Sequence, residues 1–108
     1  MRDVTLSITD AQGLVVSILE HHQTTTENAA HVAKALIAAE MDGQRGHGLS
    51  RVPSYVAQSV SGKVNGKAVP IVAERMSAAV RIDAANGFAY PAFDLAISEL
   101  TTLAREMG

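Results

Sequence analysis

Between Thr24 and Met41 apolar side chains recur at helical spacing, at Ala29, Val32, Ala33, Leu36, Ile37 and Ala39. A stripe this wide needs other elements to cover it, so the chain must pack neighbours around a helix here. Thr24-Thr25-Thr26-Glu27 opens that helix with a capping box from Thr24 to Glu27, and Gly43 stops it. Upstream, Ser7-Ile8-Thr9-Asp10 is a capping-box variant followed by Ala11, Leu14, Val15 and Ile18, which predicts a helix over 8–21. Residues 4–7 alternate apolar and polar, which predicts a short strand. Pro53 pushes Val52 toward extended geometry and suits the first position of a third helix. That helix runs to Ser61, with Gly62 as its stop.

The second half changes character. Residues 63–67 read as a turn-rich connection, followed by two short strands, Ile71–Ala73 and Ala78–Ile82, around a turn at 74–77. Asn86-Gly87 marks another turn, with Phe88 as its aromatic anchor. From Pro91 a last helix carries Phe93, Ala96, Ile97, Leu100, Leu103 and Ala104 on one face and ends at Gly108. The expected class is α+β, mostly helical, with about four helices and a few short strands. Its 108 residues suffice for one segment, helical over 1–62, then short strands and the final helix over 63–108. Nothing after that helix covers its far side. Either another chain covers it, or the sequence is the front piece of something longer.

Composition excludes several classes. With 47% hydrophobic and 19% charged residues, the chain is of soluble globular type. It has no cysteine, which rules out disulfides and thiolate zinc sites and fits a reducing, cytoplasmic setting. No apolar run approaches a membrane span, and the N-terminus lacks a signal-peptide pattern. His21, His22, His31 and His47 show no His-x-x-x-His spacing, so no metal site is expected. Net charge is −2, but residues 45–81 carry +5 between flanks of −4 and −3. That positive section favours a small anionic ligand. Nucleic acid is disfavoured by the negative total and by only 4% aromatic residues.

The positive section contains Gly43-Gln44-Arg45-Gly46-His47-Gly48-Leu49-Ser50-Arg51-Val52-Pro53-Ser54-Tyr55. Glycines on both sides of His47 leave its ring little shielded. Histidine titrates near neutral pH, which suits a proton donor, and arginine offers a planar fork to a carboxylate. The plain alternative is a polar residue in an exposed loop beside a solvated charge.

The run Glu40–Tyr55 resembles the signature of the malate/L-lactate dehydrogenase type-2 oxidoreductases: a glycine, two variable residues, Ser-His-Gly, then arginine, proline and an aromatic. Ser61–Pro70 and Ile82–Ala92 are similar to the branch that reduces Δ1-piperideine-2-carboxylate and Δ1-pyrroline-2-carboxylate. The resemblance runs nearly end to end. It implies a non-Rossmann oxidoreductase using NADPH or NADH, usually a homodimer, of which this chain is the N-terminal portion. The absence of Gly-x-Gly-x-x-Gly after a strand agrees. It further implies His47 as the general acid, Arg51 as the carboxylate grip and Tyr55 as a pocket wall. Gly46 and Gly48 would let the backbone approach the ligand, and the cofactor-binding residues are unknown. One departure stands out: Gly46 occupies the family's serine position. The family also pairs its histidine with a later aspartate that has no match here, so the chain alone is expected to have little or no activity. The alternatives are a malate- or lactate-type 2-hydroxy acid dehydrogenase, or a non-catalytic helical module that dimerises or caps a complementing chain.

Overall fold

Ser7 accepts a hydrogen bond from the Asp10 amide at 3.0 Å, and helix α1 runs from Ile8 to Glu20 behind that cap. The computed structural model describes residues 3–107. Residues 4–7 precede α1 without forming a strand, against expectation. Among the described residues the sheet has two strands, paired with each other far along the chain, and no edge is paired with residues 4–7. At the other end of α1, the Nδ1–H groups of His21 and His22 donate to the carbonyls of Ser17 and Ile18, at 2.7 and 2.6 Å. The Ile18 carbonyl is an orphan acceptor of the last turn, whereas the Ser17 carbonyl also takes the His21 amide at 3.1 Å.

Helix α2 spans Thr26–Met41, and its cap lies one residue later than predicted. The Thr25 hydroxyl, not that of Thr24, accepts from the helix, taking the Asn28 amide at 3.2 Å. Thr24 turns inward instead, is 5% exposed, and shares a 3.1 Å hydrogen bond with the Ser59 hydroxyl. With three threonines in a row, tertiary contact decides which one caps. Asn28 is also buried and donates to the Gly66 and Ala68 carbonyls at 2.9 and 2.7 Å, tying the 63–70 connection to the start of α2. The far end closes as a Schellman turn: Gly43, at φ 78°, donates to Glu40, and Gln44 donates to Ala39.

Two 3₁₀ turns follow, Arg45–His47 and Leu49–Arg51, and the second runs directly into helix α3, Val52–Ser61. Val52 is therefore helical (φ −55°, ψ −48°) rather than extended. The packing of Val52 on the core and the incoming turn outweigh the bias that Pro53 imposes on its predecessor. Gly62 ends α3 in the left-handed region, at φ 82°.

Strand β1, Ile71–Met76, pairs antiparallel with β2, Ala79–Asp83. Glu74–Met76, expected in the turn, belong to β1. Glu74 lies opposite Arg81 and pairs with it at 3.3 Å, so opposite charges on an exposed face extend the strand. The turn Ala84–Gly87 then places Ala85 and Asn86 at φ 54° and 60°, closed by the Gly87 amide on the Ala84 carbonyl at 2.9 Å. Helix α4, Ala89–Met107, starts two residues before the predicted Pro91. Pro91 sits in its first turn, where amides have no intrahelical partner.

The core joins Val15 and Leu19 of α1, Ala29, Val32, Ala33 and Leu36 of α2, and Phe88. Helix α4 meets α2 partly through charge: the Asp94 carboxylate contacts His31 and accepts from Lys34 at 3.0 Å. Arg75 of β1 grips Glu99 of α4 through two hydrogen bonds, at 3.2 and 2.8 Å. These ties turn the predicted apolar face of α4 outward, leaving Phe93, Ile97 and Leu100 at 63, 59 and 47% exposure.

Candidate functional site

The two 3₁₀ turns around Gly48 fold back on each other. The Glu40 carboxylate, in the last turn of α2, accepts the Leu49 amide at 2.8 Å. Gly48 is buried against that side chain; a Cβ there would lie 2.6 Å from Glu40 Cγ. The Ser50 hydroxyl donates to the Arg45 carbonyl at 2.8 Å. Arg51 Nε donates to the Gly46 carbonyl at 2.7 Å, which curls the guanidinium back to the residue preceding His47. His47 and Arg51 are both exposed. Gly46 is open, and a Cβ built on it meets nothing within 4 Å.

Arg51 leads into α3, so Tyr55, four residues on, lies one turn along on the same side. Tyr55 is half-buried and packs on the core. Its hydroxyl lies 2.8 Å from that of Tyr90, in the first turn of α4, and its ring centroid is 5.6 Å from that of Phe88. Burial, then the hydrogen bond with Tyr55, pushes the Tyr90 phenol up to about 12, while the Arg51 charge pulls the other way. Arg51, Tyr55 and Tyr90 therefore form one electrostatic neighbourhood.

The fold thus brings Gly46, His47, Gly48, Arg51 and Tyr55 onto one backbone run braced by Glu40. Sequence reasoning missed Glu40 and Tyr90. Glu40 carried a signal: an acid in a helix's last turn opposes the macrodipole, so a specific partner was to be expected. Tyr90 carried none, because only the tertiary fold brings it to Tyr55. A cavity of about 660 Å³ lies elsewhere, at the start of α2 beside His31 and Asp94, and includes none of the loop residues. Among the described residues, no three His, Cys, Asp or Glu side chains gather where they could hold a metal ion. No helix among them is long and apolar enough to cross a membrane.

The sequence matches the malate/L-lactate dehydrogenase family over residues 6–108. It is 41% identical over 104 residues to a Δ1-pyrroline-2-carboxylate/Δ1-piperideine-2-carboxylate reductase of Pseudomonas syringae pv. tomato, covering 96% of this chain and 30% of that protein. It is 42% identical over 103 residues to a (2R)-3-sulfolactate dehydrogenase (NADP(+)) of Chromohalobacter salexigens, covering 95% and 31%. The fold superposes on the crystal structure of the Δ1-piperideine-2-carboxylate reductase from P. syringae with a TM-score of 0.92 and 40% identity, over 98% of this chain and 32% of that one. It superposes on malate dehydrogenase of Entamoeba histolytica with a TM-score of 0.89 and 25% identity, over 99% and 30%. The chain thus spans about a third of the length of the relatives it matches. With the loop signature, the mostly helical fold and these similarities in agreement, the chain belongs to the malate/L-lactate dehydrogenase family.

Proposed function

We propose that this chain supplies the proton donor and the carboxylate grip of a reductase acting on a small cyclic imino acid, with His47 as the acid and Arg51 as the grip. The observation that carries the reading is the 2.7 Å bond from Arg51 Nε to the Gly46 carbonyl. It spends one N–H on the backbone, turns the planar fork toward the Gly46 carbonyl, and leaves the terminal nitrogens for an anion. Reducing a C=N bond beside a carboxylate places a hydride on carbon and a proton on nitrogen. Histidine is the side chain best suited to deliver that proton near neutral pH. Tyr55, one turn further along α3, is the proposed wall of the substrate site.

A nicotinamide cofactor, NADPH or NADH, would supply the hydride when bound. Most of its site is expected outside this chain. The close approaches at Gly48, Gly66 and Gly87 are filled by the chain's own atoms, and among the described residues no buried side-chain polar atom lacks a partner. The chain's share of the reaction is therefore the proton and the carboxylate. We expect little or no turnover from the 108 residues alone.

The Δ1-pyrroline-2-carboxylate and Δ1-piperideine-2-carboxylate reductases among the relatives favour the imine as substrate. The sulfolactate dehydrogenase relative, at 42% identity, favours a 2-hydroxy acid as the second reading. The exposed Phe93, Ile97 and Leu100 support a homo-oligomer or a complementing chain.

The test is a titration with Δ1-piperideine-2-carboxylate, pyruvate and oxaloacetate, followed by amide chemical shifts and by NADPH absorbance. Shifts centred on residues 46–55 that vanish in Arg51→Met support the grip. Any turnover should disappear in His47→Ala. If these amides stay unmoved while the protein associates with rising concentration, the reading gives way to a non-catalytic module.

A further inference from the structure

The pair of phenols at Tyr55 and Tyr90 has a property that neither has alone. Two hydroxyls bring two protons, and their 2.8 Å contact uses one of them. The pair therefore presents a single outward O–H. We propose that Tyr90 is a positioning residue, which fixes the Tyr55 hydroxyl so that its O–H donates to the carboxylate held by Arg51. This rests on the carboxylate grip proposed above.

Three observations carry the proposal. Tyr55 stands one helical turn beyond Arg51 on the same side, which places the phenol pair next to the proposed grip. Tyr90 stands in the first turn of α4, just beyond the buried Phe88. Either hydroxyl could donate in their mutual contact, and the proposal gives that role to Tyr90. Finally, Tyr90 is held on a braced segment. The preceding turn has Ala85 and Asn86 at positive φ, and the Asn86 carbonyl accepts from the Asn65 amide at 2.8 Å. A Cβ on Gly87 would come within 2.7 Å of the Ala68 Cβ. A segment fixed on both sides can orient a hydroxyl in advance, so that binding need not order it.

Without Tyr90 the Tyr55 hydroxyl would rotate freely about its C–O bond and hydrate. Tyr90 should therefore act on the ligand only through Tyr55. That separates positioning from simple packing of α4 on α3.

The experiment uses picolinate as a probe, a planar ring with nitrogen beside the carboxylate-bearing carbon. Its affinity is measured by chemical-shift titration for the wild type, Tyr90→Phe, Tyr55→Phe, the double variant and Arg51→Met, with thermal melts of each. Tyr55→Phe should weaken binding roughly tenfold and Tyr90→Phe roughly three- to fivefold. The double variant should bind no worse than Tyr55→Phe alone. The Tyr90→Phe loss should appear with a melting point within a few degrees of wild type. Additive losses, an unchanged affinity in Tyr90→Phe, or a loss that appears only with unfolding would each overturn the inference. Arg51→Met separates the two levels. If it binds like wild type, or if wild type does not bind, the grip itself fails. If it loses binding while Tyr90→Phe does not, only the role of Tyr90 fails.

Discussion

One N–H of Arg51 is committed to the backbone before any ligand arrives. That commitment distinguishes an oriented fork from a solvated charge, and it was not legible from spacing. The sequence placed Arg51 four residues after His47. The loop that bends the guanidinium back depends on Glu40, nine residues from the amide it holds. Thr24 shows the same limit: it was expected to cap α2, but it is buried against Ser59, 35 positions away, and Thr25 caps instead. Tyr90 yields a pH-dependent prediction. Its folded pKa, about 12, lies above the ordinary value near 10. The neutral phenol is therefore favoured by the fold, and that stabilisation is complete below about pH 10 and lost as pH rises toward about 12. Tyrosinate absorbance in a pH titration should show one late-ionising phenol, and that step should vanish in Tyr90→Phe. A Tyr90→Phe curve superimposable on wild type after scaling for one fewer tyrosine would contradict it.

Among the elements, helices were the most legible. The stripe from Ala29 to Ile37 is buried as its period required, and Gly43 and Gly62 stop their helices at positive φ, where other residues are strained. The face of α4 was the least legible. Its apolar period was real, yet the helix is seated by Asp94 on His31 and Lys34 and by Glu99 on Arg75. Long-range ion pairs leave no periodic trace in a sequence. Burial pushes the Asp94 carboxyl up, but hydrogen bonds from Lys34 and His31 outweigh it and hold the group below its ordinary range. A depressed folded pKa means that the stabilisation is present above the unfolded value of about 3.9 and is lost as pH falls through the folded one. Thermal melts taken from neutral pH down into that range should fall more steeply for the wild type than for Asp94→Asn. Parallel acid limbs in the two proteins would show that this carboxylate does not hold α4 to α2.

At the scale of the whole molecule, surface is in excess. The chain measures 54 × 30 × 20 Å and exposes 7214 Å². A folded monomer of 11.3 kDa is expected to expose about 5,700 Å². The surplus, about 1,500 Å², is nearly twice the roughly 800 Å² that one partner buries in a standard protein–protein interface. Phe93, Ile97 and Leu100, at i, i+4 and i+7 on α4, form its apolar centre. Sedimentation velocity should show reversible association that rises with concentration, and Phe93→Ser should weaken it. A protein that remains monomeric at every concentration would leave that face unexplained by self-association.

By itself, the sequence determined what is local: where helices start and stop, that a glycine-flanked imidazole precedes an arginine, and which family these residues resemble. Such properties depend on side chains within a turn or two of each other, where backbone preference and capping act. The tertiary structure alone decided which threonine caps α2, which carboxylate braces the histidine loop, that Tyr90 meets Tyr55, and which side of α4 faces inward. Each of these is a choice among local conformations of similar energy. A contact across tens of residues of chain, worth about 1 kcal/mol or a little more, is enough to settle it.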